Sequence, residues 1–155
     1  MALDFEFLSP TDKPALLALT SPDLHAAAKV ALNELGYKAQ SVATHDEFQT
    51  RSMSVQYQLI LIEDSFASLT SGENTSLRMI QDLPMALRRH ATFILVGSAF
   101  QTMNTMQAFR QSVHAVVNPA DASKLKPILQ QVAADNAVFM TAYWDIQNRI
   151  AQGKS

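Results

Sequence analysis

The stretch QYQLILIEDSF, Gln56–Phe66, decides the fold. Its apolar run, Leu59–Ile62, stops abruptly on two neighbouring carboxylates, Glu63 and Asp64. A continuous apolar run, as opposed to an alternating one, is the pattern of a strand covered on both faces of a parallel sheet. Open α/β sheets gather their ligands and chemistry outside the carboxyl ends of such strands. Glu63 and Asp64 are therefore the first candidate site.

ALLAL (Ala15–Leu19), FILV (Phe93–Val96) and the weaker AVV (Ala115–Val117) share this continuous character. The segments between them have helical spacing. TSPD supplies a capping residue and puts Pro22 near a first helical turn. In the following LHAAAKVALNELGY, Leu24, Ala27, Ala28, Ala31, Leu32 and Leu35 form one apolar face, and Gly36 stands where a C-terminal cap belongs. KAQSVA (Lys38–Ala43) reads as an edge strand, and the polar SFASLTSGENTS (Ser65–Ser76) as a surface loop. A helix with Leu77, Ile80, Leu83 and Leu87 inward follows, divided into two short pieces by Pro84. Another starts near Thr102, with Met103, Met106, Phe109 and Val113 inward. Strands alternating with helices predict right-handed βαβ crossovers and a doubly wound parallel sheet.

From Ile128 to Gln152 there is neither glycine nor proline. Leu125, Ile128, Val132, Asn136, Phe139, Tyr143, Ile146 and Ile150 keep three- and four-residue steps. One helix of that length runs about 35 Å at 1.5 Å per residue, more than the width of a small sheet. Its distal half either projects or folds back. A projecting stripe with Phe139, Tyr143 and Trp144 needs a partner; the alternative is packing on its own domain, against Leu3, Phe5 and Phe7.

The 155 residues suffice for one domain with a full core. A net charge of −2 gives no general electrostatic reason to bind nucleic acid or an acidic membrane. The lack of cysteine excludes disulfides, thiolate catalysis and Cys-ligated metal. MALDFEFLSPTDK has no basic n-region or apolar core of a signal peptide, and no apolar run approaches a membrane helix, so a cytoplasmic location is expected.

LTSPDLHAAAKVALNELGY resembles, without a gap, the first strand, loop and helix of response-regulator receiver domains. YQLILIED resembles their third strand, and VVNPAD their fifth-strand exit, where a Lys-Pro pair normally sits. The resemblance covers about residues 14–133, with extra residues in the Ser65–Ser76 loop. It implies a five-stranded parallel sheet in flavodoxin-like order 2-1-3-4-5, with any site at the carboxyl ends of the strands. The expected organisation is an N-terminal arm over 1–13, a receiver-like domain over 14–134 and a helical extension over 135–155.

In the receiver reaction an aspartate attacks a phosphoryl group. Two acids after the first strand hold Mg²⁺, and a Ser/Thr and a lysine bind the phosphoryl oxygens. Such catalysis is mostly positioning and electrostatics. By position, the resemblance puts the metal acids on Leu19 and Thr20 and the phospho-acceptor on Glu63, with Asp64 following. The Ser/Thr falls on Val96, the aromatic switch on Ala115, and the lysine on Asn118, which keeps its Pro119. Every element is altered at once, which implies a degenerate receiver outside the standard phosphorylation. Two readings of Glu63 stand, a permanent mimic of a phosphorylated acid or a strand end in water. The lack of a lysine at 118 favours the second.

His25, His45, His90 and His114 are scattered, without metal-ligand spacing, and are expected at the surface or an interface. No Gly-rich loop or nucleophile elbow follows a strand, so no cofactor is expected. Arg88 and Arg89 suit a helix C-terminus. In receivers the fourth helix, fifth strand and fifth helix form the face that dimerises and meets partners. Here that implies Met106, Phe109 and Arg110, with Phe139, Tyr143 and Trp144 beyond them. The expectation is a non-catalytic signalling or scaffolding module acting on protein partners, a homodimer being one such arrangement. Two alternatives remain: an unconventional phospho-acceptor using Asp64 or Glu63, and a ligand sensor with a neutral pocket of Thr20, Ser21, Ser98 and Asn118.

Overall fold

Five parallel strands, in the order β2-β1-β3-β4-β5, form one sheet with helices on both faces. The computed structural model describes residues 13–66, 74–84 and 91–153, excluding the side chains of 139–141, 143–144 and 147. The elements are β1 (Lys13–Ala18), α1 (Pro22–Glu34), β2 (Tyr37–Ser41), α2 (His45–Ser54), β3 (Leu59–Glu63) and α3 (Thr75–Gln81). Then follow β4 (Thr92–Val96), α4 (Thr105–Arg110), β5 (Ala115–Val117), a 3-10 segment (Pro119–Lys124) and α5 (Leu125–Ala151). The expected flavodoxin-like order is thus the observed one.

The continuous apolar runs arise because both sheet faces are covered. On one face Leu17, Leu61, Ile94 and Ala115 are buried with Leu24, Ala28 and Leu32 of α1 and Leu125, Leu129 and Val132 of α5. On the other, Leu16, Ile60, Ile62, Phe93 and Leu95 are buried with Phe48 of α2, Leu77 and Ile80 of α3 and Ala108 of α4. Register aligns the first set: Leu17 pairs with Leu61, Leu61 with Ile94, and Ile94 with Ala115. Truncating a residue such as Leu61 to alanine costs about 2–5 kcal/mol.

The helix boundaries follow local chemistry. Ser21 caps α1, its Oγ accepting the Leu24 N–H, and Gly36 takes the left-handed backbone (φ +87°) just past its end. The helix α3 stops before Pro84, and the predicted second piece, with Leu87, Arg88, Arg89 and His90, lies outside the described residues.

The fourth helix corrects the expectation. It begins at Thr105, not near Thr102, because the Asn104 side chain accepts the Gln107 N–H at 2.9 Å. This start turns Ala108 inward, whereas Met106 and Phe109 are 61% and 79% exposed. Met103 precedes the helix in left-handed backbone (φ +65°) and is 39% exposed, so of the expected stripe only Val113 is buried. The small alanine lets this short helix sit close to β5.

The last helix runs unbroken for 27 residues, about 40 Å at 1.5 Å per residue. It therefore does not fold back. Asn136 makes its last described anchor to the sheet, Nδ2 donating to Thr92 Oγ1 at 2.7 Å. Beyond it Val138, Ile146 and Ile150 are exposed. The proposed partner segment Leu3, Phe5 and Phe7 lies outside the described residues.

Candidate functional site

The carboxyl ends of β1, β3 and β5 bring together Thr20, Glu63, Asp64 and Asn118, each held by a different set of bonds. Glu63 ends β3. Its Oε1 accepts the backbone N–H of Thr20 at 2.9 Å and of Ser21 at 3.1 Å, and its Oε2 accepts from Ser65 Oγ at 3.4 Å. The expectation of a strand end facing water alone is therefore wrong. Bonds from amides to a carboxylate are charge-assisted, and these amides lie at the start of α1, where the helix dipole favours a negative charge. A glutamate has the reach to join β3 to the β1–α1 loop.

Asp64 faces the other way. Its N–H donates to Val96 O at 2.8 Å, and its carboxyl lies over the backbone of Gly97. A Cβ on residue 97 would stand 2.6 Å from Asp64 Oδ2 and 2.8 Å from Phe100 Cε2. Burial, and next the Glu63 charge, push the Asp64 carboxyl above its ordinary range, against the opposing pull of the Ser65 N–H and its own.

Asn74, not singled out by the sequence, supports both acids from below. Its Nδ2 donates to the carbonyls of Glu63 (2.8 Å) and Asp64 (3.2 Å), while its Oδ1 caps α3 through the Leu77 N–H at 2.9 Å. The available signal was an Asn immediately before a helical stripe, at the end of the SGEN run.

Asn118 braces two loops. Its Nδ2 donates to Phe100 O at 2.9 Å and Ser98 O at 3.3 Å, and its Oδ1 accepts the Ala120 N–H at 2.9 Å. Its own N–H donates to Thr102 Oγ1 at 2.9 Å, and that hydroxyl donates onward to Asp121. The Asn118 amide is thus committed at both ends. Leu19, Val96 and Ala115 are core residues on the α1–α5 face. A neutral pocket of Thr20, Ser21, Ser98 and Asn118 is disfavoured, because Ser21 caps α1 and Asn118 holds the Ser98 loop.

One histidine departs from the expectation of a surface position. His45 is half-buried: its Nδ1 accepts from Ser76 Oγ at 2.7 Å, its Nε2 is buried, and its ring meets Phe66 edge-on at 5.3 Å. His114 is exposed, yet its Nδ1 accepts the Phe93 N–H at 2.9 Å. His25 bonds to Ser41, and burial, then Lys29, lower its pKa. Among the described residues, no three His, Asp or Glu side chains are grouped to hold a metal. On the α4 face, Met106, Phe109 and Arg110 are exposed. Phe139, Tyr143 and Trp144 lie along α5, their side chains outside the described set.

No model of a known protein family and no curated protein sequence matches the chain. Solved structures do. A response-regulator receiver domain from Methylobacillus flagellatus superposes with a TM-score of 0.55 at 18% identity, covering 79% of this chain and 99% of that one. A receiver protein from Pseudoalteromonas atlantica gives 0.56 at 18% identity, over 79% and 98%. The receiver domain of a sensor histidine kinase from Pseudomonas aeruginosa gives 0.55 at 20% identity, over 80% and 99%. Sheet order, helix placement and these superpositions together identify the architecture as the receiver fold.

Proposed function

We propose that the chain is a non-catalytic signalling or scaffolding module, acting by protein contact and not phosphorylated by the receiver mechanism. The observation that carries this is the Glu63 carboxylate, committed to the Thr20 and Ser21 backbone N–H groups. The Pseudomonas aeruginosa receiver holds a magnesium ion in its active-site cleft. The donors of this chain do not fit one. Leu19 is buried in the core, Glu63 serves the β1–α1 loop, and Asp64 is turned over Gly97. Mg²⁺ asks for near-octahedral oxygen ligands, usually with a carboxylate or two. Asn118, with its amide engaged twice over, offers no cation to a phosphoryl oxygen.

The working surface in this proposal is the exposed α4 face with Met106, Phe109 and Arg110, continued by α5. Residues 14–134 form the module, 1–13 an arm and 135–155 the extension, and the location is cytoplasmic. Incubation with acetyl phosphate and Mg²⁺, followed by intact-mass measurement, is the test. No phosphoryl adduct is expected. An adduct that disappears in Asp64→Asn overturns the proposal in favour of an unconventional phospho-acceptor.

A further inference from the structure

A cavity of about 430 Å³ opens where α4, β5 and α5 meet, on a different part of the molecule from the acids. Its walls include Met103, Ala108, Ala115 and Val132, and Asp135 stands in its lining. The cavity exists because two small residues line it: Ala108 faces inward from α4, and Ala115 occupies the β5 position. Both are at least 95% buried, so the hollow is bounded by the core itself.

Its mouth is built under strain. Met103 holds a left-handed backbone at φ +65° without being glycine or asparagine, fixed there by its N–H to Val116 O at 2.9 Å. Non-glycine residues seldom hold that region, and those that do gather at ligand clamps and switches. The thioether it contributes is adaptable and favours aromatic contacts. His114 is also in the lining, its ring stacked on Phe93 with centroids 6.0 Å apart.

Among the described residues the lining holds one acid, Asp135, oriented by Gln131 Nε2 at 2.8 Å, and neither lysine nor arginine. The size lies within the roughly 300–1,000 Å³ of small-molecule sites, which combine apolar walls with a few placed polar groups. We infer that this cavity binds a small molecule with a flat apolar body and one ammonium group, the body among Met103, Ala115 and Val132 and the ammonium on Asp135. The same carboxylate disfavours phosphates and carboxylates. The site adjoins the exposed Met106–Phe109 surface, so its occupancy bears on what that surface contacts. The inference does not depend on whether Asp64 or Glu63 can be phosphorylated.

The probe is tryptamine, with indole-3-acetate as its anionic counterpart, titrated into the full chain by calorimetry and by NMR of the methionine and alanine methyls. Saturable tryptamine binding is expected, shifting the Met103 and Ala115 methyls, with no binding of indole-3-acetate. Asp135→Asn, at an exposed residue that carries no fold, is expected to weaken tryptamine by about tenfold or more, the scale of one charge-assisted bond. Ala115→Phe is expected to abolish binding by filling the cavity. Equal binding of the two indoles overturns the inference. So does the lack of saturable tryptamine binding at millimolar concentration, or an Asp135→Asn variant that binds like the parent.

Discussion

The Asp64 carboxyl and the Gly97 backbone are in such close contact that residue 97 has no room for a Cβ, which would lie 2.6 Å from Asp64 Oδ2. Gly97→Ala must displace both that half-buried carboxyl and the Phe100 ring, or shift its own backbone. The expected cost is about 1–3 kcal/mol, the usual range for overpacking, read as a lower urea midpoint with unchanged m-value. A variant as stable as the parent would show that the β3 and β4 exits have slack.

Removing the Glu63 carboxylate separates charge from hydrogen bonding. Glu63→Ala leaves the Thr20 and Ser21 amides to water and is expected to cost about 1–2 kcal/mol. Glu63→Gln retains an acceptor and should lose less than half of that. Amide hydrogen exchange at Thr20 and Ser21 should speed up in Glu63→Ala and remain slow in Glu63→Gln. Fast exchange in the parent itself would contradict the clamp.

The raised Asp64 carboxyl has a defined effect on stability. Because the folded chain holds this proton more tightly than the unfolded one, whose ordinary value is 3.8, its contribution is fully present below 3.8 and lost as pH rises through the folded value. The difference in unfolding free energy, parent minus Asp64→Asn, should therefore grow as pH is lowered from 7 towards 4. His25 acts oppositely: its lowered pKa contributes stability above the ordinary 6.5 that is lost on acidification. Subtracting the variant cancels that contribution. A flat difference across the window would remove Asp64 from the account.

Asn118→Ala should destabilise by about 1–3 kcal/mol, because the Ala120 N–H and the Phe100 carbonyl lose their partner together. The Ser98–Thr102 loop should then gain mobility, seen as faster hydrogen exchange at Asn118 and Met103. Asn118→Lys should lose the same brace without conferring phosphorylation by acetyl phosphate.

If the chain self-associates through its exposed apolar surface, sedimentation of the full chain at tens of micromolar should show a species larger than a monomer. Phe109→Asp or Ile150→Asp should return it to monomer without loss of thermal stability, since both side chains are solvent-exposed. A monomeric parent at that concentration ends the homodimer proposal.

The sheet was legible in the sequence because burial on both faces writes each strand as a continuous apolar run. The exception is β2, which had only the edge pattern of KAQSVA to mark it; it pairs with β1 alone, Ala39 lying beside Ala15. Two helices were poorly legible for opposite reasons. The second buries only Phe48 and so has almost no stripe; its signal was the Thr44–Glu47 capping box, in which Thr44 Oγ1 accepts the Glu47 N–H at 3.1 Å. The fourth displayed a convincing stripe, Met103, Met106 and Phe109, that points outward once Asn104 sets the start. At the site, residue types and positions could be read along the chain, but not the commitments of Glu63 and Asn118. Those depend on backbone groups from loops 42 or 43 residues and 18 residues away.

The unbroken α5 also makes the molecule a lever. Its first turns are buried among α1 and β4, and its last described anchor is the Asn136–Thr92 bond, so a tilt at that point would carry the remaining helix as one rod. From Asn136 to Ala151 that rod is about 22 Å long at 1.5 Å per residue. A tilt of about 5° at the sheet then swings its tip by roughly 2 Å, a displacement set by this helical rise. Small repacking around Val132 would thus be magnified at a distance. Each residue inserted after Asn136 would also turn the exposed Ile146 and Ile150 by about 100°, the angular step of a 3.6-residue turn.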